Sequence, residues 1–163
     1  MMPAVVCNTG PVIALASIDQ LELLKSLFRE VLIPEAVHKE ILLGGASSAG
    51  LSAYREKSWI KVQPLKKAAD PLLDSILDAG EASVIQLARE AGVKLVLIDE
   101  RKARKVARTV YGLQVIGTAR LLVEAKREGI IDNVNKAVQE MREGGYWIHD
   151  DIVEFVLREA GER

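Results

Sequence analysis

Short apolar runs alternate with longer amphipathic segments along the chain, and turn residues separate them. A short apolar run bounded by turn residues predicts a buried strand. An amphipathic segment predicts a helix, because its apolar residues recur at the spacing of one helix face. On this pattern the predicted strands are residues 3–7, 31–33, 59–62, 94–98, 113–116 and 146–148.

Helical patterns fill most of the chain between these runs. Gly80 predicts a break before one helix, and the stretch 44–53, rich in Gly and Ser, predicts a mobile loop that covers a site. The predicted helices are residues 11–16, 21–28, 34–43, 71–77, 81–91, 101–111, 118–128, 134–142 and 152–160.

The alternation of strands and helices indicates an α/β fold. Strand and helix units joined by short loops imply right-handed crossovers and a central parallel sheet with helices on both faces. That arrangement is a three-layer α/β/α sandwich. The 163 residues, 49% of them hydrophobic, fit a single domain that spans residues 1–163.

The net charge, the single cysteine and the length of the apolar runs limit the classes of protein to which this chain can belong. With a net charge of −1, any affinity for nucleic acid must come from a local basic patch. Cys7 is the only cysteine, which excludes a disulfide framework and a thiolate metal site and suits a reducing interior. Residues 1–18 lack the pattern of a leader peptide, and no apolar run is long enough to span a membrane. We therefore expect a cytoplasmic protein without a membrane segment.

Four oxygen-bearing residues stand where such a sheet places its ligand. Asn8 and Asp99 follow predicted strands. Glu40 lies on a predicted helix, and Glu81 opens another. Because ligands collect beyond the carboxyl ends of parallel strands, we expect Asn8 and Asp99 to be neighbours. Carboxylate and amide oxygens suit Mg²⁺ or Mn²⁺, so these residues predict a site for divalent metal ions that hydrolyse a phosphodiester.

Each of these residues also has a structural interpretation. Glu81 follows Asp78 by three residues, which is the spacing of a helix capping box. Asp99 could cap the helix that follows it, and Asn8 could bond its own backbone in a turn. Glu40 is harder to explain in this way, because it lies beside the apolar stripe of its helix. The occurrence of all four together favours a site.

A basic stripe follows Asp99. Its members recur at helical spacing, and an apolar face lies opposite them. The stripe begins beside the predicted metal site, so it could bind RNA phosphates with an affinity that falls steeply with salt. An ordinary solvated helix face is the alternative. The stripe consists of Arg101, Arg104, Lys105 and Arg108.

The chain resembles PIN-domain nucleases in five segments that occur in the family's order and spacing. The resemblance covers residues 4–131 and is closest to the prokaryotic branch akin to the ribonuclease toxins of toxin–antitoxin modules. Residues 132–163 would then form a C-terminal extension packed on the domain. The five segments are VVCNTGPVIALASIDQLELL, IPEAVHKEI, LDAGEASVIQLA, LVLIDERKARKVA and VIGTARLLVEAKREGII.

This resemblance implies an α/β/α sandwich that cleaves RNA with Mg²⁺ or Mn²⁺ held by acidic residues. It also implies a homodimer and a small antitoxin protein as partner. Thr118 takes the position of a hydroxyl that accompanies the acids, although it is equally well placed to cap its own helix. Carried over by position, the metal ligands are Asn8, Glu40, Glu81 and Asp99. Thr9, which lies beside the first of these positions, joins the basic stripe Arg101, Arg104, Lys105 and Arg108 as an expected RNA contact.

Asn8 departs from the family, most members of which have Asp at this position. An amide oxygen ligates hard cations, but the lost negative charge should weaken metal binding and the activation of water. The alternative function is therefore a catalytically weakened module that binds RNA or protein. A receiver-like signalling domain is a further alternative, since that fold also places acids at strand ends. Residues 115–118 lack the Lys that it would need.

Overall fold

The computed structural model describes residues 1–45 and 48–163, and its centre is a sheet of short strands. The strands are β1 (Val5–Cys7), β2 (Val31–Pro34), β3 (Ile60–Gln63), β4 (Leu95–Leu97) and β5 (Gln114–Ile116). All pairings are parallel, and the order across the sheet is β3-β2-β1-β4-β5. The three central strands are buried along their whole length, as expected where helices cover both faces.

Helices connect the strands and complete the predicted α/β/α sandwich, which the structure confirms. Within the described residues, α6 packs against the three central strands, and α8 packs against α9 and α10. The helices are α1 (Thr9–Ser17), α2 (Glu22–Leu27), α3 (Glu35–Glu40), α4 (Ser48–Arg55), α5 (Pro71–Ile76), α6 (Ala79–Ala91), α7 (Arg101–Thr109), α8 (Thr118–Arg127), α9 (Val134–Glu143) and α10 (Asp150–Glu159). None of those in the described part of the chain is long and apolar enough to cross a membrane.

The strand order reverses between β1 and β4. The chain passes from β1 to β2 and β3 on one side, and then returns to β4 and β5 on the other. Cys7 pairs with Leu97, so the two strands end at the same level. The Asn8 N–H donates to the Leu97 carbonyl at 3.0 Å, just beyond this end. Open α/β sheets bind ligands at this reversal, between the carboxyl ends of the two strands.

The last two helices belong to the same hydrophobic core as the sheet. Met141 of α9 and Leu157 of α10 are almost completely buried in that core. The Glu162 carboxylate accepts hydrogen bonds from Lys126 Nζ at 2.9 Å and from the Val134 N–H at 2.8 Å. These bonds fasten the end of the chain to α8 and to the start of α9.

The structure contradicts the local predictions for residues 146–148 and for Gly80. Residues 146–148 form a loop between α9 and α10 and not a strand. Their backbone groups are already engaged, since the Tyr146 N–H bonds the Met141 carbonyl and the Ile148 carbonyl accepts from Arg142. Gly80 does not break the helix, because α6 begins at Ala79 and includes it.

The described residues of the predicted loop 44–53 are largely helical. A π-helical turn, Ile41–Gly45, extends α3, and the chain leaves the helical conformation at Gly44, whose φ is +150°. Residues 46 and 47 lie outside the described residues, and α4 begins at residue 48. Tyr54 of α4 is buried, and its hydroxyl lies 2.6 Å from His38 Nδ1. This contact ties α4 to α3.

Candidate active site

Asn8 occupies the N-cap position of α1 and is buried, with 9% of its surface exposed. Its side chain does not cap the helix, although Asn is among the best capping residues. The alternative role of Asn8, a side chain that bonds its own backbone in a turn, is therefore not formed at the start of α1. Its amide group lies at the carboxyl edge of the sheet, at the reversal of strand order.

Asp99, which follows β4, holds the start of α8 and does not cap α7. Its Oδ1 accepts from the Thr118 N–H at 2.7 Å, and its Oδ2 accepts from Thr118 Oγ1 at 2.6 Å. Glu100 caps α7 instead, through the N–H groups of Lys102 and Ala103. Thr118 is completely buried, and its hydroxyl orients Asp99 instead of capping its own helix.

Tyr146 is a member of this site that the sequence analysis did not identify. Its hydroxyl donates to Oδ2 of Asp99, the same oxygen that accepts from Thr118. Gly10 makes room for the phenol, because a Cβ at that position would lie 3.0 Å from the Tyr146 hydroxyl. Burial and the charge of Asp99 raise the pKa of Tyr146, so the phenol remains a donor.

The end of α9 determines where Tyr146 lies. Gly145 adopts a φ of +97°, and the Tyr146 N–H returns to the Met141 carbonyl at 2.9 Å. This is the Schellman ending of a helix, which favours Gly at the left-handed position. Arg142 Nη2 also donates to the Ile148 carbonyl at 2.5 Å. The pair Gly144-Gly145 before an aromatic residue was therefore the sequence signal for this part of the site.

Glu81 combines a structural and an electrostatic role. Its N–H donates to Asp78 Oδ1 at 2.8 Å, and its Oε1 accepts from the Asp78 N–H at 3.3 Å. The predicted capping box is thus confirmed. Glu81 is also buried, and burial together with the charges of Asp78 and Glu100 raises its pKa to about 7. A carboxyl group in these surroundings is stabilised by a nearby cation.

Glu40 links α3 to α1 and α6. Its side chain is exposed, and its Oε2 accepts from Thr9 Oγ1 at 2.8 Å. The carboxylate lies so close to Gly80 that a Cβ on Gly80 would overlap it. Glu40 therefore approaches the helix start that carries Glu81, and it has a hydrogen-bond partner in Thr9 of α1.

The donor chemistry of this edge fits a hard divalent cation. All the candidate ligands offer oxygen, which Mg²⁺ and Mn²⁺ prefer. Burial, and then the charges of Asp78 and Glu100, raise the pKa of Glu81, so a nearby cation would stabilise its charged form. In the described part of the chain, no three His, Cys, Asp or Glu side chains are grouped closely enough to hold a metal ion. At the end of β1, Asn8 offers an amide oxygen and no negative charge.

The basic stripe divides into one half-buried residue and three exposed residues. Arg104 Nη1 donates to the Ile98 carbonyl at 2.9 Å, and burial, together with the charge of Arg108, lowers the Arg104 pKa. Its guanidinium group also lies beside Gly117, next to Asp99. Arg104 thus places a fixed positive charge at the site. The exposed members of the stripe are Arg101, Lys105 and Arg108.

A cavity of about 840 Å³ opens beside Asp99. Its lining includes Arg101, Arg104 and Tyr146, so the carboxyl edge of the sheet and the basic stripe share one opening. Sites for small ligands commonly measure about 300–1,000 Å³, so this cavity accommodates a substrate group.

Comparison with known proteins gives one finding. A family model for the PIN domain matches residues 4–162, which is nearly the whole chain. The match includes β1 through α10 and every residue of the site described above. Neither the curated proteins nor the solved structures provide a match.

Proposed function

Because the chain belongs to the PIN-domain family, a family of nuclease domains, we propose that it is a metal-dependent endoribonuclease. The observation that supports this most directly is the Asp99–Thr118 pair at the reversal of strand order. Two hydrogen bonds fix this carboxylate beside a cavity that basic side chains line. Fixed charges at the point of reaction are the main source of catalysis in phosphoryl chemistry.

The proposed ligands of Mg²⁺ or Mn²⁺ are Asn8, Glu81 and Asp99, together with Glu40, whose exposed side chain lies on the solvent side of the site. A bound divalent cation would supply positive charge for the attacking and leaving oxygens of the phosphodiester. Thr118 keeps the Asp99 carboxylate in one orientation through its two donors.

The substrate would approach along α7. Arg104 is fixed next to Asp99 by its bond to the Ile98 carbonyl, so its guanidinium group would stabilise the negative charge of the scissile phosphate. The exposed members of the stripe would contact phosphates further along the RNA and would add affinity without sequence preference. Thr9 is already engaged with Glu40, so its contribution to RNA binding would require that bond to open. The exposed basic residues are Arg101, Lys105 and Arg108.

A second function is supported by one specific residue. Asn8 carries no negative charge at a position where most family members have Asp. A module that binds RNA or protein without efficient cleavage would tolerate that change. The resemblance to toxin ribonucleases adds three further proposals. These are a role as the toxin of a toxin–antitoxin pair, a homodimer, and a cytoplasmic location. The small antitoxin protein would be the partner that keeps the nuclease inactive.

Cleavage of a labelled single-stranded RNA by the full chain tests the proposal. Wild type should cleave with Mn²⁺ or Mg²⁺ and stop in EDTA, and Asp99→Asn should abolish cleavage. Asn8→Asp should raise both the rate and the affinity for Mn²⁺ measured by calorimetry. Cleavage that appears only in Asn8→Asp would favour the binding module. Failure of both proteins to bind Mn²⁺ would refute the metal-dependent nuclease.

A further inference from the structure

The cavity beside Asp99 extends past edge strand β5 toward the loop 146–149, and we call this part the β5 cleft. It is lined by Val115 of β5 and by two aromatic side chains that the proposed chemistry does not use, Trp147 and Phe155. Both side chains are largely exposed to solvent, with 64% of the surface of Trp147 and 58% of the surface of Phe155 accessible. Exposed apolar surface of this kind commonly marks a contact site.

Trp147 is held in place although most of its surface is exposed. The guanidinium group of Arg142 lies 4.0 Å from the centre of the indole ring. Arg142 also donates to the carbonyl of Ile148 in the loop at 2.5 Å and to Oδ1 of Asp150, the first residue of α10, at 2.9 Å. One side of the indole is therefore supported by a fixed cation, and the rest of the ring faces the cleft. A rigid aromatic ring of this kind binds a flat group with a small loss of entropy.

Three arginines and two aspartates, Asp99 and Asp151, share the cavity lining with these rings. Arg101, Arg104 and Arg120 line the cleft together with Trp147 and Phe155. Arg120 Nε forms an ion pair with Glu124 Oε1 at 3.3 Å, whereas Arg101 is exposed on α7. Aromatic rings interleaved with guanidinium groups fit single-stranded nucleic acid, whose bases stack while its phosphates form ion pairs. An apolar protein segment would not use three guanidinium groups at this rim.

We propose that the β5 cleft binds an unpaired nucleotide of the RNA next to the scissile phosphate, with its base stacked on Trp147 and its phosphate paired with Arg101. The inference rests on the proposed nuclease function and adds to it a subsite that holds one unpaired base. A duplex cannot bind the cleft in this way, because its paired bases present no free face that could stack on Trp147. Phe155 forms the second apolar wall against the base.

Binding of RNA in EDTA tests the cleft separately from cleavage. The probe is a fluorescein-labelled single-stranded RNA, and its affinity for the full chain is measured by anisotropy. Trp147→Leu should weaken binding roughly 5- to 100-fold, and Trp147→Phe should retain most of the affinity, because Phe still stacks. Arg101→Ala should weaken binding and reduce the salt dependence by about one ion. Arg29→Ala is the matched control, since Arg29 is exposed and precedes β2, which lies on the other side of β1 from the cleft.

A fluorescence measurement identifies the stacked ring. The chain has two Trp residues, so Trp59→Phe leaves Trp147 as the only indole. Single-stranded RNA should quench its emission, and the duplex of the same sequence should quench it much less. Unchanged affinity in Trp147→Leu, or equal affinity for the duplex, would overturn the inference. So would a Trp147→Leu variant that loses only self-association in light scattering, since the cleft would then be an interface between two copies.

The two proposals fail in different ways. If wild type never cleaves RNA with Mn²⁺ but Trp147→Leu still weakens binding, the nuclease proposal fails and the cleft stands as a site for single-stranded RNA. If wild type cleaves RNA and Trp147→Leu binds and cleaves normally, the inference about the cleft fails alone.

Discussion

The Tyr146 hydroxyl donates a hydrogen bond to the carboxylate of Asp99, although 47 positions separate the two residues in the chain. Oδ2 of Asp99 also accepts from Thr118, so both donors hold the same oxygen. The loop after α9 therefore contributes directly to the carboxyl edge of the sheet. We assign Tyr146 as a positioning residue, because it acts through Asp99.

Tyr146→Phe should separate this role from a general effect on folding. Loss of a hydrogen bond to a charged group should lower the free energy of unfolding by about 1.5–3 kcal/mol. Partners that orient a metal ligand typically contribute roughly 10- to 100-fold to metal affinity or activity, so Mn²⁺ affinity should also fall. Urea unfolding measures the first effect, and calorimetry measures the second.

Tyr111→Phe is the matched control for Tyr146→Phe. Within the described residues, the Tyr111 hydroxyl is buried and has no hydrogen-bond partner. Its removal should leave stability unchanged or raise it, because an unsatisfied buried hydroxyl is unfavourable. Equal Mn²⁺ affinities in wild type, Tyr111→Phe and Tyr146→Phe would show that Tyr146 is structural only.

The neighbouring positions of Asn8 and Asp99 could be predicted from the sequence. Each follows an apolar run, and parallel strands bring such ends to one edge of a sheet. The capping box of Glu81 could be predicted as well, because it depends on residues only three positions apart. These features are local, or they follow from the sheet alone.

Tyr146 and the exposed position of Glu40 could not be predicted in the same way. Tyr146 reaches Asp99 because α9 packs on the core and ends in a left-handed Gly145. Three apolar or aromatic residues in a row looked like a strand, but residues 146–148 pair with no strand of the described sheet. The position of Glu40 depends on how closely α3 approaches Gly80. Both features are set by tertiary packing, which pattern analysis does not include.

Gly80→Ala should reduce activity without reducing stability. A Cβ at Gly80 would overlap the Glu40 carboxylate, which is exposed and free to rotate away from Thr9. The substitution favours a helix by up to about 1 kcal/mol, so the free energy of unfolding should hold or rise. Displacement of Glu40 should lower RNA cleavage roughly tenfold, as expected for an outer partner of a metal site.

Glu40→Ala provides the background that tests this explanation. If Gly80→Ala acts by displacing Glu40, it should have no further effect on cleavage once the carboxylate is absent. Cleavage and urea unfolding are measured for the two single variants and the double variant. Additive losses of activity would show that Gly80 affects the site by another route.

Glu81 should make the stability of the metal-free protein depend on pH. Burial, and then the charges of Asp78 and Glu100, raise the pKa of Glu81 from 4.5 to about 7. Between these two values the folded state retains a proton that the unfolded state has released. The contribution of Glu81 to the free energy of unfolding therefore falls as the pH rises from 4.5 to 7, and it is constant outside this window.

Glu81→Gln should remove this contribution while preserving the helix cap, because Gln also completes a capping box. In EDTA, the variant should gain stability relative to wild type between pH 5 and pH 8 and match it near pH 4, as measured by urea unfolding. Glu56→Gln, at an exposed position, removes the same charge and serves as the control. Mn²⁺ should narrow the difference in the free energy of unfolding between wild type and Glu81→Gln, because a cation stabilises the charged form of Glu81. A Glu81→Gln variant that retains the full pH dependence of wild type would contradict the raised pKa.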